Sequence, residues 1–154
     1  MKNKALLVGI NKYPDPQNEL RGCINDILDM EHFIAESNKV YAKQNIKKLT
    51  DKEATKKGIV TQLKWLLEGA QAGDQLLFHY SGHGAQAPTL NVKLEPDGLD
   101  EIICPYDFDG SNATTLRDKE FAQLFASIPK GVHFVWISDS CHAENLSRDP
   151  QMPG

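Results

Sequence analysis

The fold class is decided by the stretch Gln75-Leu-Leu-Phe-His-Tyr80, which continues into Ser81-Gly-His-Gly84. A short apolar run bounded by turn residues is typical of a strand covered on both faces, as in a parallel sheet. A second such run, Val132-His-Phe-Val-Trp-Ile137, ends at Ser138-Asp-Ser-Cys-His142. Sites in parallel sheets lie beyond the carboxyl ends of the strands. We therefore predict that Ser81–Gly84 is a turn and that both polar segments carry functional side chains.

Strand and helix patterns alternate through the rest of the chain. Further strands are predicted over Ala5–Ile10 and Ile46–Thr50. Apolar residues at helical spacing predict helices over 19–35, between Thr50-Asp51 and Gly73-Asp74, and over 118–128. Residues 85–114 are rich in proline and glycine and are interpreted as loops around a small hairpin. This order favours an α/β fold with a mainly parallel sheet and helices on both faces.

Length and composition exclude several classes of protein. The 154 residues fit one domain, 1–154. The net charge is −4 and no basic face is clustered in the sequence, so a nucleic-acid partner is not expected. No segment approaches the ~20 apolar residues of a membrane helix, and Ala5–Ile10 is too short for the apolar region of a signal peptide. We expect a cytoplasmic protein without a membrane or nucleic-acid partner.

One cysteine and one histidine stand at the ends of different predicted strands. The three cysteines, Cys23, Cys104 and Cys141, are odd in number and form no CxxC pair, so neither a disulfide frame nor a zinc site is expected. A thiolate is a strong nucleophile that needs a partner to stabilise it and to protonate the leaving group. Imidazole serves both purposes near neutral pH. If their strands are neighbours, Cys141 and His83 converge.

The surroundings of His83 also favour chemistry over structure. Gly82 and Gly84 flank it, and their lack of a Cβ lets a substrate backbone approach and leaves an N–H for an oxyanion. A lone cysteine after an apolar strand is usually part of the core, and a lone histidine in a glycine turn is usually structural. Their joint position at matching strand ends favours a catalytic pair. The His79-x-x-x-His83 spacing of zinc sites is discounted, because the glutamate and the helix are missing.

Five motifs in order resemble the caspase family of cysteine peptidases, and within it the metacaspases and bacterial orthocaspases. They are Ala5-Leu-Leu-Val-Gly-Ile-Asn11, Leu20-Arg-Gly-Cys-Ile-Asn-Asp26, Tyr80-Ser-Gly-His-Gly84, Asp97-Gly-Leu-Asp-Glu101 with Pro105-Tyr-Asp107, and Asp139-Ser-Cys-His142. The resemblance runs from Lys4 to about Asp149. It implies a three-layer caspase-like fold, of which this chain is the large-subunit part that lacks the small-subunit strands.

The resemblance implies a cysteine endopeptidase that cleaves proteins or peptides after Arg or Lys. Cys141 is then the nucleophile, His83 its acid/base partner, and the backbone N–H groups of Cys141 and Gly84 hold the oxyanion. The family works as a dyad, so no third catalytic residue is assigned. Where animal caspases have Gln-Ala-Cys-x-Gly, this chain has Asp139-Ser-Cys-His-Ala143. That departure implies an acidic pocket for a basic P1 residue. Its residues are Cys23, Asp26, Ser81 and Asp139.

Calcium is the one activator that the resemblance suggests, although no cofactor is required for the chemistry. Many metacaspases are activated by calcium held by loop aspartates. The candidate ligands here are Asp100, Asp118 and Asp149, because a hard cation needs several oxygen ligands. The family's paired acid appears as Asp118-Lys119, so a cation replaces one ligand. Loop acids that are merely solvated are the alternative.

A caspase-like sheet takes its last two strands from a small subunit. The fourth predicted strand would otherwise be an open apolar edge, so we expect a p10-type subunit or a second copy to cover it. A self-cleavage product at a basic site would end in Lys or Arg, so we interpret the end at Gly154 as trimming or a cut by another protease. Two alternatives stay open: a catalytically silent caspase-like binding or regulatory module, and a cysteine hydrolase of other specificity.

Overall fold

The computed structural model describes residues 2–88 and 99–142, and at 87, 88, 99, 100, 141 and 142 it describes the backbone alone. The strands are β1 Asn3–Gly9, β2 Ile46–Thr50, β3 Gln75–Pro88, β4 Leu99–Ile103, β5 Leu116–Arg117 and β6 His133–His142. The helices are α1 Cys23–His32, which continues as a π-helical turn over Phe33–Ser37, α2 Lys56–Leu67 and α3 Asp118–Phe125.

The sheet has a parallel part and a small antiparallel part. β1 pairs in parallel with β2 on one side and with β3 on the other. The second edge of β3 is shared: β6 pairs with it in parallel along 75–84, and β4 pairs with it in antiparallel fashion along 84–88. β5 extends this antiparallel part beside β4. The predicted mainly parallel sheet is confirmed.

Side chains alternate between the two faces of the sheet, and each face has its own core. On one face, residues such as Leu76 and Phe78 pack with Ile59 of α2 and Phe121 of α3. On the other face, Ala5, Leu7 and Leu77 form one cluster with Ile27 and Ile34. Tyr41 belongs to the same cluster. Because strand side chains point to alternate faces, the apolar runs are buried from both sides. The predicted three-layer arrangement of helix, sheet and helix follows.

The turn predicted at Ser81–Gly84 is wrong, because β3 runs without a break to Pro88. β6 likewise includes all of Ser138–His142. A Cβ on Gly82 would lie 2.6 Å from the hydroxyl oxygen of Tyr80, and a Cβ on Gly84 would lie 2.7 Å from the Cβ of Ser140. The two glycines therefore allow close packing inside an extended strand and do not form a turn.

The helix bounds also differ from the predictions at their ends. α1 begins at Cys23 and not at 19, because the Asn11 side-chain oxygen accepts the N–H of Cys23 at 2.9 Å and so caps the first turn. α2 ends at Leu67, before Gly73-Asp74, and the Asp74 carboxylate instead accepts the N–H groups of Lys2 and Gln71. No helix in the described residues is long and apolar enough to cross a membrane.

One edge of the sheet is unpaired in the part of the chain that the structure describes. There, β6 pairs with β3 alone. The large side chain of Trp136 on this strand is 37% exposed although it stacks on Phe78 and makes a tilted ring contact with Phe121. This agrees with the predicted apolar edge.

The attachment of α1 to the sheet gives a stability prediction. Ile27 is fully buried, whereas the neighbouring Leu28 is 42% exposed. We expect Ile27→Ala to lower the free energy of unfolding by about 2–4 kcal/mol, through lost burial and the cavity left behind. Leu28→Ala is the matched control, with a change within about 0.5 kcal/mol. Urea unfolding measures both, and equal losses for the two variants would contradict the packing described.

Candidate active site

The register of β3 and β6 places the two predicted catalytic positions side by side. The Cα of His83 is paired with that of Cys141, and Ser81 is paired with Asp139. Neighbouring strands lie about 4.8 Å apart, and paired positions belong to the same face of the sheet. The structure thus brings positions 83 and 141 together from sites 58 residues apart in sequence.

The His83 ring is held in one orientation. It is 7% exposed, and its Nε2 lies 2.7 Å from the backbone carbonyl oxygen of Asn18. A carbonyl oxygen can only accept, so Nε2 carries the proton and donates it. Nδ1 is buried and has no hydrogen-bond partner among the described residues. The tautomer set by Asn18 therefore leaves Nδ1 as the basic nitrogen.

Two buried tyrosines hold the backbone on either side of this ring. The hydroxyl of Tyr13 accepts the His83 N–H at 3.0 Å and donates to the Cys104 carbonyl at 3.0 Å. The hydroxyl of Tyr80 lies 2.7 Å from the His83 carbonyl oxygen and 3.0 Å from that of Cys104. Burial raises the pKa of both tyrosines, so both remain protonated donors. The backbone at His83 is consequently fixed by side-chain hydroxyls as well as by the sheet.

The loop that supplies Asn18 is anchored through Asn11 and Asp51. The Asp51 carboxylate accepts the N–H groups of Asn11 and Lys12 at 2.9 and 3.0 Å. The Asn11 carbonyl in turn accepts the N–H of Leu20 at 2.6 Å. These contacts fix both ends of the segment that carries Asn18, and so they position the His83 ring indirectly.

Sequence reasoning missed the roles of Tyr13, Asn18 and Asp51. The proline-containing stretch 11–18 gave no periodic signal, and the contact of Asn18 with His83 spans 65 residues. Tyr13 was the only large apolar side chain in that stretch. Its isolation among polar residues and prolines is the one sequence signal that could have indicated a buried anchor.

The predicted pocket residues lie on, or pack against, the face of the sheet that carries His83. The Ser81 hydroxyl donates to the Asp26 carboxylate at 2.9 Å. Asp139 is paired with Ser81 in the register and is exposed. Cys23 is buried in the first turn of α1, one turn before Asp26. The structure thus groups Asp26, Ser81 and Asp139, with Cys23 beside them, and their part in substrate binding stays a prediction.

Cys23 and Cys104 are the cysteines whose side chains the structure describes, and both are buried. Burial raises the pKa of the Cys104 thiol to about 12, so it remains protonated and unreactive at neutral pH. Cys104 contributes its carbonyl to the tyrosine network and is not a nucleophile.

The predicted calcium ligands are only partly described. Asp118 begins α3, and its Oδ1 is buried without a hydrogen-bond partner among the described residues, as a metal ligand would be. Asp100 lies in β4, where the backbone alone is described, and Asp149 lies outside the described residues. Within the described ranges, no group of three or more candidate ligands is close enough to hold a metal ion. Calcium binding therefore stays a prediction.

Comparison with known proteins identifies relatives along almost the whole chain. Residues 3–148 match the family model described as metacaspase, peptidase C14 domain. The chain is 41% identical over 148 residues to Metacaspase-1 of Pyricularia oryzae and 42% identical over 149 residues to Metacaspase-1 of Coccidioides immitis. Each alignment covers 92% of this chain but only 36% and 31% of those proteins. The chain spans about a third of the length of the curated relatives it matches.

The fold has a solved counterpart as well. The crystal structure of a protein from Geobacter sulfurreducens superposes with a TM-score of 0.73 at 32% sequence identity. The match covers 93% of this chain and 52% of that one.

The tyrosine network gives a prediction about the site's stability. Tyr13→Phe removes the acceptor of the buried His83 N–H, and an unsatisfied buried donor costs about 1–3 kcal/mol. We expect the substitution to lower the free energy of unfolding by that amount. Tyr41→Phe is the matched control, because Tyr41 is also buried but its hydroxyl makes no hydrogen bond with the described residues; we expect a change within about 0.5 kcal/mol. Denaturant unfolding compares the two, and a neutral Tyr13→Phe would refute the role given to its hydroxyl.

Proposed function

Because the chain belongs to the metacaspase family of C14 cysteine peptidases, we propose that it is the catalytic part of an endopeptidase that cleaves after Arg or Lys. The observation that carries the proposal is the pairing of His83 with Cys141 across adjacent parallel strands. The His83 ring is oriented by the Asn18 carbonyl, and the Ser81 hydroxyl, two residues earlier on β3, donates to the Asp26 carboxylate.

The chemistry proceeds as acyl transfer between these two residues. Nδ1 of His83 takes the proton of the Cys141 thiol, and the thiolate attacks the carbonyl carbon after the P1 residue. The peptide C–N bond breaks as His83 returns the proton to the leaving amine, which leaves a thioester on Cys141. Water then attacks the thioester while His83 takes its proton, the C–S bond breaks, and the acid product leaves as the Cys141 thiolate re-forms beside the His83 imidazolium. The backbone N–H groups of Cys141 and Gly84 are proposed to hold the oxyanion.

Asn18 acts in this mechanism as a positioning residue. Its carbonyl accepts the Nε2 proton of His83 at 2.7 Å. The bond keeps Nδ1 available as the base, and it stabilises the imidazolium that forms when Nδ1 gains a proton. The group is a backbone carbonyl, so it needs no particular side chain at position 18. The proposed two-residue dyad therefore stands, because Asn18 supplies only a backbone acceptor and no third catalytic side chain.

Specificity for a basic P1 residue is proposed from the charges near the catalytic pair. Asp26 and Asp139 come from two elements, α1 and β6, to the face that carries His83. A guanidinium or ammonium group between them forms charge-assisted hydrogen bonds, whereas an acidic P1 side chain is repelled. The Ser81 hydroxyl fixes one oxygen of Asp26 and leaves the other for substrate.

A small-subunit segment is the proposed partner of β6. Apolar grooves lie on both faces of this edge strand. One, of about 340 Å³, is lined by residues that include Ile103, Phe121 and Trp136. The other, of about 290 Å³, is lined by residues that include Leu77, Val135 and Ile137. Strands and helices of a p10-type segment, or of a second copy, would pair the open edge and fill both grooves.

Calcium activation and a cytoplasmic location are retained as proposals. The buried and unpartnered Oδ1 of Asp118 supports a cation near the start of α3. Asp100 and Asp149 would complete its oxygen ligands. When bound, the cation would neutralise the loop acids and fix the loop that contains them, and it would take no part in bond cleavage. The thiol of the buried Cys104 is free, which suits the cytoplasm.

Peptide cleavage tests the proposed reaction. Fluorogenic peptides that differ only in P1, as Arg, Lys or Asp, are given to the chain joined to its small-subunit segment, with and without calcium. We expect cleavage after Arg and Lys, and a loss of at least about a thousandfold in Cys141→Ala and in His83→Ala. Cys104→Ala is the control and should retain activity. If the folded protein cleaves none of the peptides under any condition, the catalytically silent binding module becomes the better hypothesis.

The acidic pocket is tested by removing one charge at a time. Asp26→Asn should lower kcat/KM for P1 Arg by about 10- to 100-fold, because it weakens a charge-assisted hydrogen bond. Asp29→Asn is the matched control, since Asp29 lies on the same helix but is exposed. Steady-state kinetics on the Arg and Lys peptides give the ratio. Equal kinetics for Asp26→Asn and Asp29→Asn would show that residues other than Asp26 determine P1 specificity. The proposed dyad would be unaffected by that result.

A further inference from the structure

A buried histidine that the proposed mechanism does not use lies next to the acidic pocket. His79 is 5% exposed and lies on β3, two residues before Ser81 and on the same face. Its register partners are Leu7 on β1 and Ile137 on β6. His79 thus occupies the next position inward from the Ser81–Asp139 pair.

The charged groups that face this ring come from two neighbouring elements. Asp26 of α1 and Asp139 of β6 both act on His79 electrostatically. α1 also brings Cys23 to this face, and β3 itself carries His83 four residues on. β1 contributes only Leu7 and Gly9 at the paired positions, neither of which titrates. Two carboxylates therefore face one imidazole. Position 141 lies two residues after Asp139 on β6, farther along the strand from His79.

The imidazole of His79 is neutral around neutral pH. Burial lowers its pKa from the ordinary value of 6.5, and the attraction of Asp26 and Asp139 opposes this effect without overcoming it. A group with a lowered pKa becomes protonated only at a pH below the ordinary value. His79 itself thus supplies no positive charge to the two carboxylates in the working pH range.

One nitrogen of His79 has an unmet hydrogen bond. Nδ1 is buried and has no partner among the described residues. Such atoms are uncommon in folded proteins and call for an explanation. A guanidinium carries five N–H donors and no acceptor, and it must satisfy them when it is buried. The Asp26 carboxylate already accepts one hydrogen bond from the Ser81 hydroxyl, so a buried acceptor beside it would help to satisfy the five donors of a P1 Arg.

We propose that His79 forms the inner wall of the P1 pocket and that its neutral imidazole accepts a hydrogen bond from the P1 guanidinium or ammonium group through Nδ1. This inference rests on the proposed cleavage after basic residues. Protonation of His79 removes the acceptor and adds a competing cation beside Asp26 and Asp139. Binding of a basic P1 residue therefore weakens as the pH falls through the pKa of His79, whereas the chemical step at Cys141 does not depend on this group.

Two substitutions distinguish the effect of the Nδ1 acceptor of His79 from the effect of protonating its ring. His79→Leu removes both, and we expect KM for the P1 Arg peptide to rise about tenfold at pH 8 with kcat within about twofold. His79→Gln keeps an acceptor that cannot titrate, so KM should stay near the wild-type value at pH 8. Its rise towards acid pH should be smaller than in the wild type. His32→Gln, at an exposed histidine at the end of α1, is the matched control and should follow the wild type.

A binding measurement decides the question without turnover. The Cys141→Ala full-length protein is titrated with Nα-acetyl-arginine amide while the ¹⁵N resonances of the His79 ring are followed against pH. We expect the Nδ1 resonance to shift and the pKa of His79 to fall further, because the bound cation opposes protonation. An unchanged His79 resonance and pKa at all probe concentrations would overturn the inference, as would wild-type KM profiles in His79→Leu.

The two proposals fail in different ways. If the wild-type protein does not cleave after Arg or Lys, the proposed function is wrong, and the arginine titration still decides whether His79 accepts a cation. If the wild-type protein cleaves but the His79 variants keep its KM at every pH, the proposed function stands and His79 is a buried structural histidine.

Discussion

The parallel pairing of β3 with β6, from Gln75 opposite His133 to Gly84 opposite His142, is the constraint on which the site depends. A slip of one residue would move every side chain of one strand to the opposite face of the sheet. The same register aligns His83 with Cys141 and Ser81 with Asp139. The proposed catalytic and specificity positions are therefore fixed together, and a change that shifts one pair must shift the other.

Contacts outside the ladder hold this register in place. Gly84 lets Ser140 approach more closely than any side chain at position 84 would allow. Tyr13 and Tyr80 bind the backbone polar groups of His83, so this part of β3 cannot move without breaking buried hydrogen bonds. The Asn18 carbonyl then orients the ring itself. Three separate constraints therefore act on His83. The close approach at Gly84 fixes the distance between the strands, the tyrosine hydroxyls fix the His83 backbone, and the Asn18 carbonyl fixes the rotation of its ring.

Local pattern was enough to predict the four parallel strands and the layers, but it left the meeting of His83 and Cys141 conditional on their strands being neighbours. β4 lay in a region interpreted as loops around a small hairpin, and β5 was missed. Apolar runs and helical spacing are properties of short segments, which is why the bounds of β2 were predicted to the residue. The extension of β3 to Pro88 was missed because Gly82 and Gly84 have the composition of a turn, and their packing against Tyr80 and Ser140 exists only in the folded chain. The roles of Tyr13 and Asn18 were missed for the same reason, since both act on His83 across more than 60 residues of sequence.

The strand that carries the predicted nucleophile is also the one whose outer edge is unpaired in the described residues. An edge strand is held by backbone hydrogen bonds from one side, so its position is less constrained than that of β3 between two partners. Catalysis requires reacting groups to be held within a fraction of an ångström. We expect position 141 to gain that precision when the proposed partner pairs with β6 and fills the grooves beside Trp136 and Ile137. Under the proposed function, assembly and catalytic competence are thus coupled through one strand, whereas the contacts that hold His83 are already present in this chain.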